Sequence, residues 1–420
     1  MIRISRAYYA NATDLSVELY QKLIDRGWRR SGKILYKPDL RASCCPQYTI
    51  RLDSSAFRPS KDQRQTLNRF NNFIIGQTYR TAAARLYPKT REQAQRRKQE
   101  FDLIERIHES EQGLLNIPPE LAHSFKVTLE TDDFTEEKFE LYENYQSVVH
   151  HDPKSEISRI SFKRFLCDSP LRTRAVSKTE NQDLLGSYHQ CYRIDGKLIA
   201  MGVLDLLPHA VSAVYFMYHE SVNDFGFGKL GAMREIAMAK ELGYRWWYAG
   251  FYIHTCKKMR YKGDYSPQYI LDPESYLWYL FAKDIKHQLD TSKCLGFSKE
   301  KSEISELSSN AMSPSSPGGS TEQEGSTADN RTSDSDEDLD LDVPVFALGM
   351  PGILTRDELL SQVDLDEVII EVDNLRTKAS CLIGWQKSNI NSNLSVKGFI
   401  AGLVATVGPD MLSKIVIKLR

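Results

Sequence analysis

The apolar positions of this chain change period several times, and the changes divide it into elements. Over residues 14–30, Leu15, Leu19, Leu23 and Ile24 recur at helical spacing, with Asp14 placed to cap the first turn and Gly27 to end the last. Runs at 33–37 and 47–52 predict strands, and 60–108 predicts basic helices broken near Pro88. A strand follows at 124–130 and a helix at 135–149, where Phe139, Tyr142 and Tyr145 form a stripe that reads as core. From Ser187 the period becomes two. Runs at 188–194 and 197–206 flank Asp195-Gly196, a pair that supplies the positive φ angles of a tight hairpin. A third strand at 211–218, a glycine-rich loop, a helix over 231–242 and a strand over 245–253 complete a β-β-β-α-β block. There is no internal repeat.

Just after that block the pattern carries candidate chemistry. If 258–262 is extended, Lys258, Arg260 and Lys262 share one face, with Met259 and Tyr261 on the other. Three cations on one face call for an anionic partner. Lysines that protect a sheet edge are the plainer reading, but edge protection needs no aromatics such as Tyr252, Tyr261 and Tyr265 among the charges.

Charge and composition sharpen this picture. The net charge of −1 averages two opposites: 18 Lys and Arg against four acids over 26–98, and eleven acids against Lys301 and Arg331 over 301–343. The first suggests a polyanion-binding surface, with Arg29, Arg30 and Lys33 as candidate phosphate contacts; its plainer reading is a solvated helix face. The second is Ser-, Gly-, Pro- and acid-rich, which predicts a disordered linker with Ser333 and Ser335 as candidate phosphosites. No apolar run approaches the ~20 residues of a membrane span, and no secretory core is present, so a cytoplasmic or nuclear protein is expected. Seven cysteines without regular spacing argue for a reducing compartment. Cys44-Cys45 could be half of a metal site. A closed site needs four ligands, and Cys167, Cys191 and Cys256 read better as small buried hydrophobes.

The segment Gly226-Phe-Gly228-Lys-Leu-Gly231 matches G-x-G-x-x-G between strand and helix. The dinucleotide reading also needs an acid at the end of the next strand, where Trp246-Trp247-Tyr248-Ala249-Gly250 has none. What survives is either a tight turn or a loop whose amides precede a helix and can hold an anion or oxyanion, as in GNAT-type acetyltransferases.

Several longer blocks then carry a resemblance. Tyr-Gln-Ser-Val-Val-His-His-Asp-Pro at 145–153, Phe-Leu-Cys-Asp-Ser-Pro-Leu at 165–171, the run 194–218, Met-Arg-Glu-Ile-Ala at 233–237 and Tyr-Ile-His-Thr-Cys-Lys-Lys-Met-Arg-Tyr-Lys-Gly at 252–263 resemble the eukaryotic arginyl-tRNA–protein transferases. The similarity runs from about Asp25 to about residue 290 and includes Cys-Cys-Pro-Gln-Tyr-Thr-Ile-Arg at 44–51.

The resemblance implies an α/β, GNAT-like acyltransferase fold with a basic α+β N-terminal region. It further implies arginine transfer from arginyl-tRNA to the α-amine of proteins beginning with Asp or Glu, marking them for ubiquitin-dependent degradation. Four segments are expected: 1–110 basic, with the partial cysteine site and tRNA contacts; 120–300 catalytic; 301–343 linker; and 344–420 packing on the catalytic domain. Gly228, Tyr252 and Tyr261 are the catalytic candidates, and Lys258, Arg260 and Lys262 the candidates for binding an anion at the reaction centre, the acceptor's acidic side chain in narrow preference to the terminal phosphates of the tRNA. Asp205 and Glu235 are candidates for reading the arginyl guanidinium; their plainer roles are capping the turn before Pro208 and pairing with a helix Lys.

The family's Cys-Gly-Tyr-Cys, which with Cys44-Cys45 holds zinc or an iron–sulfur cluster, has no counterpart here. A truncated start, no complete metal site and a monomer are therefore expected. The competing functions are an acetyl-CoA-dependent N-acetyltransferase and a noncatalytic tRNA- or degron-binding protein.

Overall fold

The structure, a computed structural model, describes residues 6–419 apart from 172–183, 298–342 and positions 112, 114, 118 and 293. The acidic tract 301–343, with Ser333 and Ser335, therefore lies outside the described residues except for Val343.

Strands β1 (Ala7–Asn11), β2 (Arg29–Ser31) and β3 (Ile34–Pro38) form a small antiparallel sheet in the order β1-β3-β2. The central sheet has eight strands: β4 (Tyr48–Asp53), β5 (Phe125–Thr131), β6 (Gly186–Ile194), β7 (Lys197–Leu207), β8 (Ala210–Tyr218), β9 (Trp246–Tyr252), β10 (Gln268–Leu271) and β11 (Trp278–Leu280). Its order is β11-β10-β4-β9-β8-β7-β6-β5, and only β8–β9 is parallel, as the helical crossover between them requires. β4 sits inside this sheet between β10 and β9, so the boundary expected near residue 110 does not separate an N-terminal lobe at that strand.

The hairpin turns where the sequence predicts, with Asp195 at φ 50° and Gly196 at φ 83°. β7 is buried on both faces. Leu204 and Leu206 share one core with Met233 and Ile236 of the helix Phe227–Glu241. Met201 and Val203 pack on the other side with Phe139 and Tyr142 of the helix Glu136–Tyr145, which confirms that stripe as core. Gly231 permits the close approach on the first side, because a Cβ there would lie 2.3 Å from the Phe216 ring.

Three local readings change. Ser16, not Asp14, caps the first helix (Val17–Ile24), accepting from the Leu19 amide at 3.2 Å. The crossover helix begins at Phe227 because Gly226 adopts the left-handed conformation at its N-cap, which puts Gly228 and Gly231 inside the helix. Residues 258–262 are not extended: the amides of Met259 and Arg260 donate to the Cys256 carbonyl, giving one helical turn (Lys257–Arg260) and then a 3-10 turn (Tyr261–Asp264).

Past the acidic tract, β12 (Ile369–Val372), β13 (Leu375–Lys378) and β14 (Ile417–Leu419) surround a core of their own that contains Leu359, Ile370, Trp385, Ile400 and Val404. This unit rests on the N-terminal sheet region. Trp28 donates to the Thr406 carbonyl at 3.4 Å, and Arg26 pairs with Asp410 at 2.7 Å.

Candidate active site

β8 and β9 pair only over Ala210–Ser212 and Trp246–Tyr248. Beyond that point β9 carries an irregularity: Thr49 faces Phe251 and Arg51 faces Tyr248, so Ala249 and Gly250 together oppose Ile50. Gly250 has φ +79°, which an L side chain rarely adopts, and the bulge coincides with the end of β8–β9 pairing. The opening is a break in the β8–β9 ladder: pairing stops at Ser212 and Tyr248, and the Ala213 carbonyl lies 3.7 Å from where a Cβ on Gly250 would stand.

Several charged and phenolic groups meet there. Lys262 is half-buried, and its Nζ reaches the Phe251 carbonyl at 3.4 Å and lies 3.5 Å from where a Cβ on Gly250 would stand. Burial, then the nearby Arg29 charge, pull its ammonium down to about 8. Glu235 is buried, accepts from Trp247 Nε1 at 2.8 Å, and is pushed up by burial to about 7. The Tyr261 hydroxyl lies 3.9 Å from the Cβ position of Gly228, and burial raises it to about 12. Of the expected residues, the structure thus brings together Gly228, Glu235, Tyr261 and Lys262.

The others separate. Tyr252 donates to or accepts from His254 Nδ1 at 2.7 Å, and His254 Nε2 meets Asp290 at 2.7 Å, beside a cavity of about 230 Å³ lined by Pro46, Tyr48, Thr255 and Leu289. Lys258 is exposed, and exposed Arg260 donates to the His254 carbonyl at 3.0 Å. The one-faced cation trio is therefore corrected: the helical turn sends Lys262 inward and leaves the other two outside.

Asp205 is also corrected. It does hold a guanidinium, but the protein's own: Arg30 Nε and Nη2 reach its oxygens at 2.8 and 2.6 Å, and Ser187 donates at 2.7 Å. Arg30 is therefore no phosphate contact. Nor is Arg29, which is 5% exposed; only Lys33 of that trio faces solvent. Burial pulls Arg29 below its ordinary value, and the Tyr248 and Phe251 rings lie 5.6 and 5.5 Å from its Cζ.

The Cys44 and Cys45 sulfurs are 3.3 Å apart. Among the described residues no group of three or more His, Cys, Asp or Glu side chains converges around them. Cys191 is buried as expected, whereas Cys167 and Cys256 are only half-buried.

Residues 3–65 match the family described as arginine-tRNA-protein transferase, N terminus, and 137–272 match its C terminus. The chain belongs to the arginine-tRNA-protein transferase family. A family relative from Saccharomyces cerevisiae, arginyl-tRNA–protein transferase 1, is 30% identical over 69% of this chain; the alignment covers only 56% of the yeast protein. Arginyl-tRNA–protein transferase 2 of Arabidopsis thaliana is 24% identical over 97% of this chain and 91% of its own length. The aspartate/glutamate leucyltransferase of Aeromonas salmonicida is 26% identical over 60% of this chain and 78% of its own. Among solved structures, L-PGS from Bacillus licheniformis aligns with TM-score 0.25 and 10% identity over 49% of this chain and 47% of that one. Both matched family segments feed the opening: the first supplies β2 and β4, the second β8, β9 and the returning turn with Lys262.

Sequence reasoning missed Gly250 and the His254–Asp290 pair. A glycine inside a strand was the available signal for the first. The second joins residues on different elements, and nothing local marks it.

Proposed function

We propose that this chain transfers arginine from arginyl-tRNA to the α-amine of proteins that begin with Asp or Glu. The opening between β8 and β9, flanked by the start of the crossover helix, is the observation that carries the reading. The ester of a charged tRNA is already activated, so the protein must position it, stabilise an oxyanion and accept a proton. No side-chain nucleophile is required. The incoming amine, with an ordinary pKa near ~8, is partly protonated at neutral pH. In this reading the neutral amine nitrogen attacks the ester carbonyl, and Glu235, which titrates near 7, takes up the amine's proton and returns it to the ribose oxygen as the C–O bond breaks. That role suits Glu235 better than reading the arginyl guanidinium, because Lys262 already acts on it electrostatically.

The aspartate/glutamate leucyltransferase relative supports acidic acceptors. Marking for ubiquitin-dependent degradation, a cytoplasmic or nuclear location and a monomer belong to the same proposal; among the described residues no helix is long and apolar enough to cross a membrane. The tRNA contacts move from Arg29 and Arg30 to the helices Lys61–Ile75, Gln77–Leu86 and Arg91–Gln99, where Arg69, Arg80, Arg85 and Arg91 are exposed.

The test supplies an Asp-starting peptide with either labelled arginyl-tRNA or acetyl-CoA. Arginine incorporation lost in Glu235→Gln is the expected result. Acetyl transfer alone would make the chain an N-acetyltransferase, and no transfer from either donor would leave a binding protein.

A further inference from the structure

Arg29 and Arg30 are neighbours on β2, and both are buried. Arg30 is fully engaged by Asp205, Ser187 and the Gly32 carbonyl. Arg29 is not: among the described residues nothing accepts from its Nε or Nη1, and its Nη2 only reaches the Gly250 carbonyl at 3.5 Å. The nearby carboxylate, Asp25, is committed elsewhere, accepting from the Tyr248 hydroxyl at 2.6 Å and pairing with Arg51 at 3.5 Å. Lys262 adds a second cation at the same glycine. A buried guanidinium with two donors unaccepted is costly, and it repels the half-buried Lys262 beside it; an anion placed between them relieves both.

We infer that Arg29, with Lys262, binds the side-chain carboxylate of the acceptor's first residue and so determines its acidic specificity. This rests on the proposed arginyl transfer and assigns the acceptor subsite of that same opening. Several features select a carboxylate. The guanidinium is planar with a fixed fork of donors, which matches a carboxylate two bonds at a time. The Tyr248 and Phe251 rings lie 5.6 and 5.5 Å from the Arg29 Cζ, so its unaccepted donors sit in an aromatic setting where an anion is poorly screened. Tyr36, which packs on Phe251 at 6.0 Å, and Lys262 are only half-buried, so Arg29 lies one side chain below the surface. An Asp or Glu at the first position carries its carboxylate on a short side chain beside the reacting amine. Holding that carboxylate at Gly250 places the amine at the opening.

The experiment measures equilibrium binding of an Asp-starting peptide and its neutral Asn-starting isostere to the full chain, without tRNA. The wild-type chain should prefer the Asp peptide by about tenfold or more, and Arg29→Gln should bring the ratio close to one while Asn-peptide affinity changes by less than about threefold. Lys262→Met should lower the ratio in the same direction, which keeps the test available if Arg29→Gln does not fold. An unchanged ratio in both variants, equal loss for both peptides, or no wild-type preference overturns the inference. Because tRNA is absent, the failure of arginyl transfer is a separate result: an Arg29-dependent preference without transfer keeps the anion subsite and removes the reaction.

Discussion

The Arg30–Asp205 junction and the Arg29–Lys262 opening lie one residue apart on β2, yet they treat buried charge in opposite ways. At the junction a carboxylate takes the guanidinium on two oxygens, and Ser187 satisfies what is left. Burial alone would depress Arg30, but Asp205 outweighs it and the net shift is upward. At the opening, burial depresses Arg29 and Lys262 and no carboxylate of the described residues pairs with either. Burial is the same at both places; the partner differs. One arginine is fully paired, while two donors of its neighbour find no acceptor among the described residues, which is the observation behind the proposed acceptor subsite.

The largest expected effect breaks this contrast from the structural side. Arg30→Met leaves Asp205 charged and buried, and should cost about 3–5 kcal/mol in urea unfolding; replacing both partners with apolar residues of similar volume should recover most of it. Arg29→Met, by contrast, removes a charge with no counter-ion and should change stability by less than about 1 kcal/mol in either direction. Equal losses at the two positions would show that Arg29 is as structural as its neighbour.

A smaller effect sharpens the description of the opening. The Glu235 carboxyl has an ordinary value of 4.5 and is raised by burial to about 7. Between those values the folded chain holds a proton that the unfolded chain has released, so this group's stabilisation is complete below about 4.5 and is lost as pH rises through about 7. Glu235→Gln should remove that slope. Its unfolding free energy from urea titration should gain on the wild type as pH rises across this window, by at most ~3 kcal/mol. Lys262, lowered to about 8 from 10.5, acts above that window, where stability rises with pH. Parallel pH profiles for the two proteins would mean that Glu235 is not protonated near neutrality.

The smallest effect in free energy concerns charges that are neither paired inside nor held at the opening. Neutralising Arg69, Arg80 and Arg85 together should leave unfolding unchanged and reduce the salt slope of tRNA binding by about 2–3. Arg29→Met should leave that slope alone. If it fell instead, the buried arginine would be serving the tRNA.

How legible this was depends on where each signal resides. The β6–β7 hairpin was readable because Asp195-Gly196 and the period of two are local. The stripe Phe139–Tyr142 was readable for the same reason. Residues 258–262 were misread because one helical turn is too short for periodicity to separate from alternation, and the carbonyl of Cys256 decides it. Arg29 and Arg30 are identical neighbours whose roles part only through Asp205, which comes from a strand 175 residues away. Asp205 itself was sensibly read as a guanidinium binder, yet sequence could not say whose guanidinium. The opening at Gly250 depends on how β9 registers against β4 and β8 at once, and register is a property of the assembled sheet.

The seating of Trp28 on Thr406 and of Arg26 on Asp410 has a consequence for how the molecule comes into being. Arg26 and Trp28 lead into β2, which carries both arginines, but the groups they contact are made 384 and 378 residues later. The guanidiniums of Arg29 and Arg30 likewise precede Gly250 and Asp205, the groups that face them. A nascent chain therefore carries both guanidiniums before their surroundings exist, and the order of synthesis is not the order in which the opening becomes whole.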